Sequence, residues 1–432
     1  MVSARTLLLA AVLAASAVAT AEAGDWPGWM GVDRTGVSTE KGLLKEWPKD
    51  GPKLVWKATD IGNGYSTPAV ADGKIYLMSN RGTDDEFAIA LSAKDGKKIW
   101  SRHIGKVGPN RGPQYPGSRS TPTVEGDAVY VLGSDGDLAC LDAAKGEVRW
   151  KKNLRTEFEG KPGNWAYAES PLIDGDVLVC TPGGDKATLA ALNKKSGEVV
   201  WKASVPAGAG GGGGRGRMAG NTAAYASPIV ATVGGVKQYI QFLGGGLVGV
   251  AAKDGKLLWR YDKVTGTTNC ATPLFHDDCV FVSAAGGRGG SSSSGGALVK
   301  LTADGKNVTA KEVYHIQPLA NHHGGVVRVG DAIYGTNNSS LVCIDFKTGE
   351  TKWDNRSVGK GSIMAADGRL YVRGEKGPLA LVEATPSGYK EEGRFEQPDR
   401  SAKPSWPHPV VADGRLYLRD QDVLLCYDVK AK

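Results

Sequence analysis

The amino-acid sequence predicts an all-β protein, an eight-bladed β-propeller of four-stranded blades, and three observations lead there. A short frame with a small first residue, a Gly six positions later and a Trp ten later recurs along the chain. Each copy follows a hydrophobic hairpin pattern broken by a tight turn. A further Trp-bearing segment near the start lacks such a hairpin, and the last unit lacks such a segment.

The frame is clearest at 343–353, CIDFKTGETKW, and returns as ALSAKDGKKIW at 90–100, CLDAAKGEVRW at 140–150, ALNKKSGEVVW at 191–201 and GVAAKDGKLLW at 249–259. Chance placement of 61 Gly and 11 Trp in this length would put a Gly four before a Trp only about twice. The preceding pattern is seen in TPAVADGKIYLM at 67–78, where Asp-Gly supplies the positive φ angles of a two-residue hairpin loop between alternating apolar runs. Hairpin, return strand, turn and Trp-bearing strand make four strands per repeat of roughly 40 to 50 residues, which is a propeller blade.

The first strands of the units begin near Thr67, Thr121, Ser170, Ser227, Thr272, Gly325, Ile363 and Pro409, so there are eight blades. The last unit has three strands and ends at LLCYDV around Cys426. Its fourth is expected from LVWK at 54–57, so that an N-terminal strand completes the C-terminal blade and leaves no open edge. Removing the chain through Trp56 is therefore expected to destabilise the ring, and removing only 25–46 to be tolerated better.

These residues resemble the tryptophan-docking motif of the quinoprotein-type, PQQ-like repeat propellers, a family that includes pyrroloquinoline quinone (PQQ) dehydrogenases and the non-enzymatic outer-membrane assembly factors of the BamB type. The resemblance covers 54–432. It implies that Trp56, Trp100, Trp150, Trp201, Trp259 and Trp353 pack on a neighbouring repeat, with weaker packing where Tyr314 and Phe395 replace Trp. The motif is specific for fold and leaves function open.

Residues 1–23 read as a secretory signal peptide: Arg5, an apolar run at 7–18, then Ala21-Glu22-Ala23 as a small-x-small cleavage signal. A periplasmic or secreted address follows, with no transmembrane segment in the mature chain. There is no Cys near the cleavage site for a lipid anchor. The net charge of +7 is spread among interspersed acidic and basic residues, with no basic run or recognition motif, which argues against nucleic-acid binding. Because the repeat spans almost all of the mature length, one monomeric propeller is expected.

Of the six Cys, Cys140 and Cys343 fill the small first slot of the frame and Cys426 the matching strand of the last unit, so they read as small buried apolar residues. Cys180 lies in a strand, and a Cys270–Cys279 bridge stays open. The segment 24–53, with Trp26, Trp29 and Trp47, reads as a strap across the outside of the ring, with a ligand-binding role as the alternative. Two low-complexity stretches, 207–220 and 286–296, read as mobile loops.

Inner strands line the channel of a propeller, so the residues just before them form a ring at its mouth. These segments carry Tyr65, Tyr115, Arg119, Trp165, Tyr167, Glu169, Asn221, Tyr225, Asn269, His322, His323, Lys360, Trp406 and His408. The candidate ligand or partner site is Tyr65, Arg119, Trp165, Tyr167, Glu169, Asn221, Asn269, His322, His323 and His408. Alternatively, these polar groups only satisfy loop backbone. His322 and His323 are adjacent and point apart, so no metal site is assigned.

The resemblance offers two functions. One is an exported, non-catalytic binding or scaffold propeller of the cell envelope, with a protein partner, no cofactor and no catalytic residue. The alternative is a PQQ-dependent alcohol or sugar dehydrogenase, which would use Glu169 and Asn269 for calcium and Trp165 as aromatic floor. The chain lacks the adjacent-Cys cap of those enzymes, and no Asp stands clearly as base. It also has no Cys-x-x-Cys-His for an attached haem.

Overall fold

The computed structural model describes residues 24–109, 115–206, 220–266, 268–286 and 293–431. Eight antiparallel sheets form the ring. Seven follow chain order, at 69–106, 123–153, 172–203, 229–261, 274–316, 326–355 and 361–395. The eighth combines 410–428 with Lys53–Ala58, which pairs antiparallel with Val423–Asp428 and sets Trp56 opposite Cys426. Helix among the described residues is limited to Leu154–Glu157, capped by the Asn153 side chain.

The frame now has a geometric reason. Its small first residue is the cross-strand partner of its own aromatic residue: Ala90 faces Trp100, Cys140 faces Trp150, Ala191 faces Trp201, Gly249 faces Trp259 and Cys343 faces Trp353. The register slips by one residue just before each of these Trp residues, as a β-bulge does. The extra residue turns outward, which leaves Ile99 and Val200 45% and 53% exposed while the Trp turns toward the next blade.

There it meets the Gly of the following frame. A Cβ on Gly96 would lie 2.8 Å from the Trp56 ring, one on Gly146 2.6 Å from Trp100, one on Gly197 2.8 Å from Trp150 and one on Gly255 2.5 Å from Trp201. Each of these indoles also donates to a backbone carbonyl of that neighbouring turn, at Ala93, Ala143, Lys194 and Ala252. Tyr314 and Phe395 make the same approach, to Gly349 and Gly51. Trp259, by contrast, donates to Gln238 of its own blade, 2.6 Å away.

The N-terminal segment corrects the expectation of a strap on the outside. Residues 26–38 cross the channel. Trp26 bridges to Val70 of blade 1, Val124 of blade 2 donates to the Pro27 carbonyl, and the Trp29 indole donates to Thr272 Oγ1 before blade 5 at 2.7 Å. Arg34 reaches the carbonyls of Ser170, Pro171 and Pro228 beside blades 3 and 4, and Val37–Ser38 adds a parallel strand to the inner edge of blade 7. Only then does the segment run outward, where Trp47 packs on Phe395 with ring centroids 5.0 Å apart.

Residues 1–23, 207–219 and 287–292 lie outside the described residues, as do the signal peptide and most of both low-complexity stretches. Part of the second stretch is ordered: Gly295 and Gly296 begin the strand Gly295–Asp304. All six Cys are unpaired, so the Cys270–Cys279 bridge is absent. No helix among the described residues is long and apolar enough to cross a membrane.

Candidate functional site

The segments preceding the inner strands converge on a cavity of about 350 Å³ at one end of the channel. Of the ten candidate residues, six line it: Tyr65, Arg119, Trp165, His322, His323 and His408. Tyr115, Tyr225, Lys360 and Trp406 from the same ring join them.

The other four face the propeller wall. Tyr167 donates to the Pro182 carbonyl at 2.9 Å, and Asn221 bonds the Val205 carbonyl and accepts from Arg260. Glu169 accepts from the Thr181 amide at 2.6 Å and from Gln241 at 3.1 Å. Asn269 accepts from the Gly266 amide and donates to the Leu243 carbonyl. For these four the structure favours the backbone-satisfying alternative, because a buried amide or carbonyl in a blade junction needs a partner.

Two lining residues escape the ring rule. Trp29 arrives from the N-terminal segment and forms the floor, its ring 4.6 Å from that of His408. Glu375 lies in the turn between the middle strands Arg369–Gly374 and Leu379–Glu383 of blade 7. Trp29 stands in a segment without repeat signal. Glu375 stands on a turn class that the ring rule does not sample.

Aromatic rings make two walls. Trp406 packs on Tyr65 and Tyr115, with centroids 4.6 and 4.9 Å apart, and Trp165 packs on Tyr225 at 5.9 Å. Arg119 stands between the walls. Its guanidinium is fixed by the carbonyls of Gly117, Trp165 and Tyr115 and lies 5.5 Å from the Tyr65 ring. Burial lowers its pKa, while the neighbouring Tyr65 and Tyr225 hydroxyls favour the charge.

Glu375 organises the opposite side. It accepts from the Trp406 indole at 2.8 Å and pairs with Lys360 at 3.3 Å, with the His323 ring 3.4 Å away. Burial opposes its ionisation, and these three neighbours outweigh that, holding the carboxylate below its ordinary range. Burial pushes His322 down to about 3 and His408 to about 4, so these two rings are neutral at pH 7; burial lowers His323 as well, while the Glu375 carboxylate beside it acts the other way. The buried Nδ1 atoms of His322 and His323 have no hydrogen-bond partner among the described residues.

The residues do not fit a PQQ–calcium centre. Both oxygens of Glu169 and the side chain of Asn269 already serve the wall, and Glu375, the carboxylate that lines the cavity among the described residues, is held by Trp406 and Lys360. No group of three His, Cys, Asp or Glu side chains that could hold a metal ion occurs among the described residues.

Fold and repeat define the class: a PQQ-like repeat propeller with an aromatic cavity at its channel mouth. Residues 20–111 and 90–355 match the PQQ_2 family, described as outer membrane protein assembly factor BamB, and the chain belongs to that family. It is 23% identical over 391 residues to the outer membrane protein assembly factor BamB of Yersinia pestis, covering 85% of this chain and 86% of that one. Among solved structures it resembles BamB from Moraxella catarrhalis (TM-score 0.59, 15% identity, 88% of this chain and 98% of the other). It also resembles the quinohemoprotein alcohol dehydrogenase of Comamonas testosteroni (TM-score 0.61, 14% identity, 95% and 81%). At such identities these two likenesses speak for the fold alone.

Proposed function

We propose that the chain is an exported, non-catalytic binding or scaffold propeller of the cell envelope that receives a ligand or a protein partner at the channel mouth. The observation that carries this reading is the division of the candidate residues. Those suited to binding line one cavity, whereas Glu169 and Asn269, which the dehydrogenase alternative needs for calcium, are engaged in the wall. The relative from Yersinia pestis, named for outer membrane protein assembly, supports an envelope protein partner. The apolar run and cleavage signal in 1–23 support a periplasmic or secreted address.

The test pairs two experiments on the full mature chain. Cross-linking in envelope fractions is expected to recover a protein that is lost with Trp406→Ala, while circular dichroism stays unchanged. Reconstitution with PQQ and calcium is expected to give no dye reduction over a panel of alcohols and sugars. Dye reduction that depends on added PQQ would overturn the proposal in favour of the dehydrogenase.

A further inference from the structure

We propose that the mouth cavity takes a compact organic monoanion, a carboxylate on an aromatic body, with the carboxylate on Arg119 and the body between the Trp406 and Trp165 walls. This rests on the mouth-binding reading and names the ligand class. Three features carry it.

The first is shape. Trp29 closes the floor, and residues 30–35 separate the mouth from two further cavities lined by the opposite ends of the inner strands, around Asp174 and Gly126. An extended chain has no way through, so the occupant is compact. A volume of about 350 Å³ suits a small ligand.

The second is charge. Lys360 and His323 both face the Glu375 carboxylate, and His322 and His408 are neutral at pH 7. Arg119 has no ion-pair partner among the described residues, and its hydrogen bonds to Gly117, Trp165 and Tyr115 go to carbonyl oxygens. One positive charge is left uncompensated, beside rings of low polarity where a carboxylate on a guanidinium is strongest. A cationic ligand would meet that charge, and Glu375 is already engaged.

The third is polarity along the cavity. Arg119 precedes blade 2 and His322 precedes blade 6, on opposite sides of the eight-fold ring. A ligand with its carboxylate on Arg119 therefore extends toward the unpartnered His322 Nδ1, which suits a hydroxyl at the far end.

The test titrates 4-hydroxyphenylacetate into the full mature chain, read by calorimetry and by the fluorescence of the lining tryptophans. The neutral 4-hydroxyphenylacetamide and the cationic tyramine serve as comparisons. The acid is expected to bind at least about tenfold more tightly than the amide, and tyramine not to bind. Arg119→Gln is expected to weaken the acid by about tenfold or more. Because Arg119 also ties loop carbonyls, Glu375→Gln gives the decisive sign: removing the cavity's carboxylate raises its net charge and is expected to tighten the acid several-fold.

Equal binding of acid and amide, weakening by Glu375→Gln, or no binding of the acid to folded wild-type protein would each overturn the proposal. If the acid fails to bind while cross-linked partner is still lost with Trp406→Ala, the ligand class is wrong and the mouth-binding reading stands.

Discussion

The ring of Trp56 lies against the backbone of Gly96, so close that a Cβ there would stand 2.8 Å from the indole. Because Trp56 belongs to the strand that completes blade 8 and Gly96 to blade 1, this contact fastens the seam of the ring.

Trp56→Ala removes that contact and the hydrogen bond to the Ala93 carbonyl. A loss of about 3 kcal/mol is expected, at the lower end for a large aromatic side chain because Trp56 is only partly buried. Urea unfolding of the full chain checks it, and a change within error would mean that the seam is held by other contacts, such as those of Arg419 with Gly62 and Met78.

Two glycines separate backbone strain from ring contact. Gly96 and Gly73 have φ of +71° and +65°, but nothing lies within 4 Å of a Cβ on Gly73. Gly73→Ala meets only the left-handed backbone penalty, about 1 to 2 kcal/mol. Gly96→Ala must also displace the indole and is expected to cost about 1 to 3 kcal/mol more. Thermal unfolding of the two variants side by side measures the difference.

Arg34 fastens the channel-crossing segment to blades 3 and 4 through the carbonyls of Ser170, Pro171 and Pro228. Arg34→Met leaves these acceptors unpaired in a buried site, at a cost of about 3 kcal/mol or more. Limited proteolysis is expected to cut the variant within 24–38 well before the wild type. Identical cleavage patterns would show that the segment is held without this residue.

Burial pushes the Glu86 carboxyl up to about 7, against the lowering effect of hydrogen bonds from the Ser134 amide and hydroxyl. Since the unfolded value is about 4.3, the folded chain holds this proton more tightly. That contribution is complete below about pH 4.3 and is lost as pH rises through about 7. Glu86→Gln, which cannot ionise, is expected to gain on the wild type between those limits, by up to about 1.4 kcal/mol per pH unit. The buried histidines act with the opposite sign: with His322 lowered to about 3, its contribution is present above the unfolded value and falls away as pH drops toward 3. Urea midpoints of wild type and Glu86→Gln across that range decide the matter, and parallel curves would contradict the assignment.

The structure also revises one truncation. Removing 25–46 takes away Trp26 and Leu43, only 3% and 1% exposed, and uncovers the inner strands. Both N-terminal truncations are now expected to unfold at lower temperature than the full chain, which thermal scans would test.

What could be read from residues alone followed the repeat. Blade number, strand order and closure through 53–58 were legible because Gly and Trp recur at fixed spacing, and spacing reports the ladder register directly. The small first residue was visible as a pattern, but its cause, a cross-strand face shared with its own Trp, needed the bulge. In the mouth, position before an inner strand placed Arg119 and His408 near the cavity, yet could not say which way Tyr167 or Asn269 would turn. That choice is made by unpaired carbonyls such as those of Pro182 and Leu243, which belong to other parts of the chain. For Trp29 the sequence offered a ligand-binding role only as the alternative for 24–53 and could not place it, because a single-copy segment has no periodicity and its course is set by contacts with several blades at once.

Closure of the ring through strand 53–58 has a kinetic meaning as well. Gly414 donates to Glu40 across a sequence separation of 374, and Arg419 reaches the Gly62 carbonyl across 357. Such contacts form late, because the entropy of closing so long a loop must be met before the contact rewards it. Until synthesis reaches the eighth blade, the first blade has an unpaired neighbour and the channel-crossing residues have an incomplete ring to fill. The two ends of the chain, residues 40–62 and 414–419, therefore make the last contacts to form, and the ring locks only when the final blade is in place.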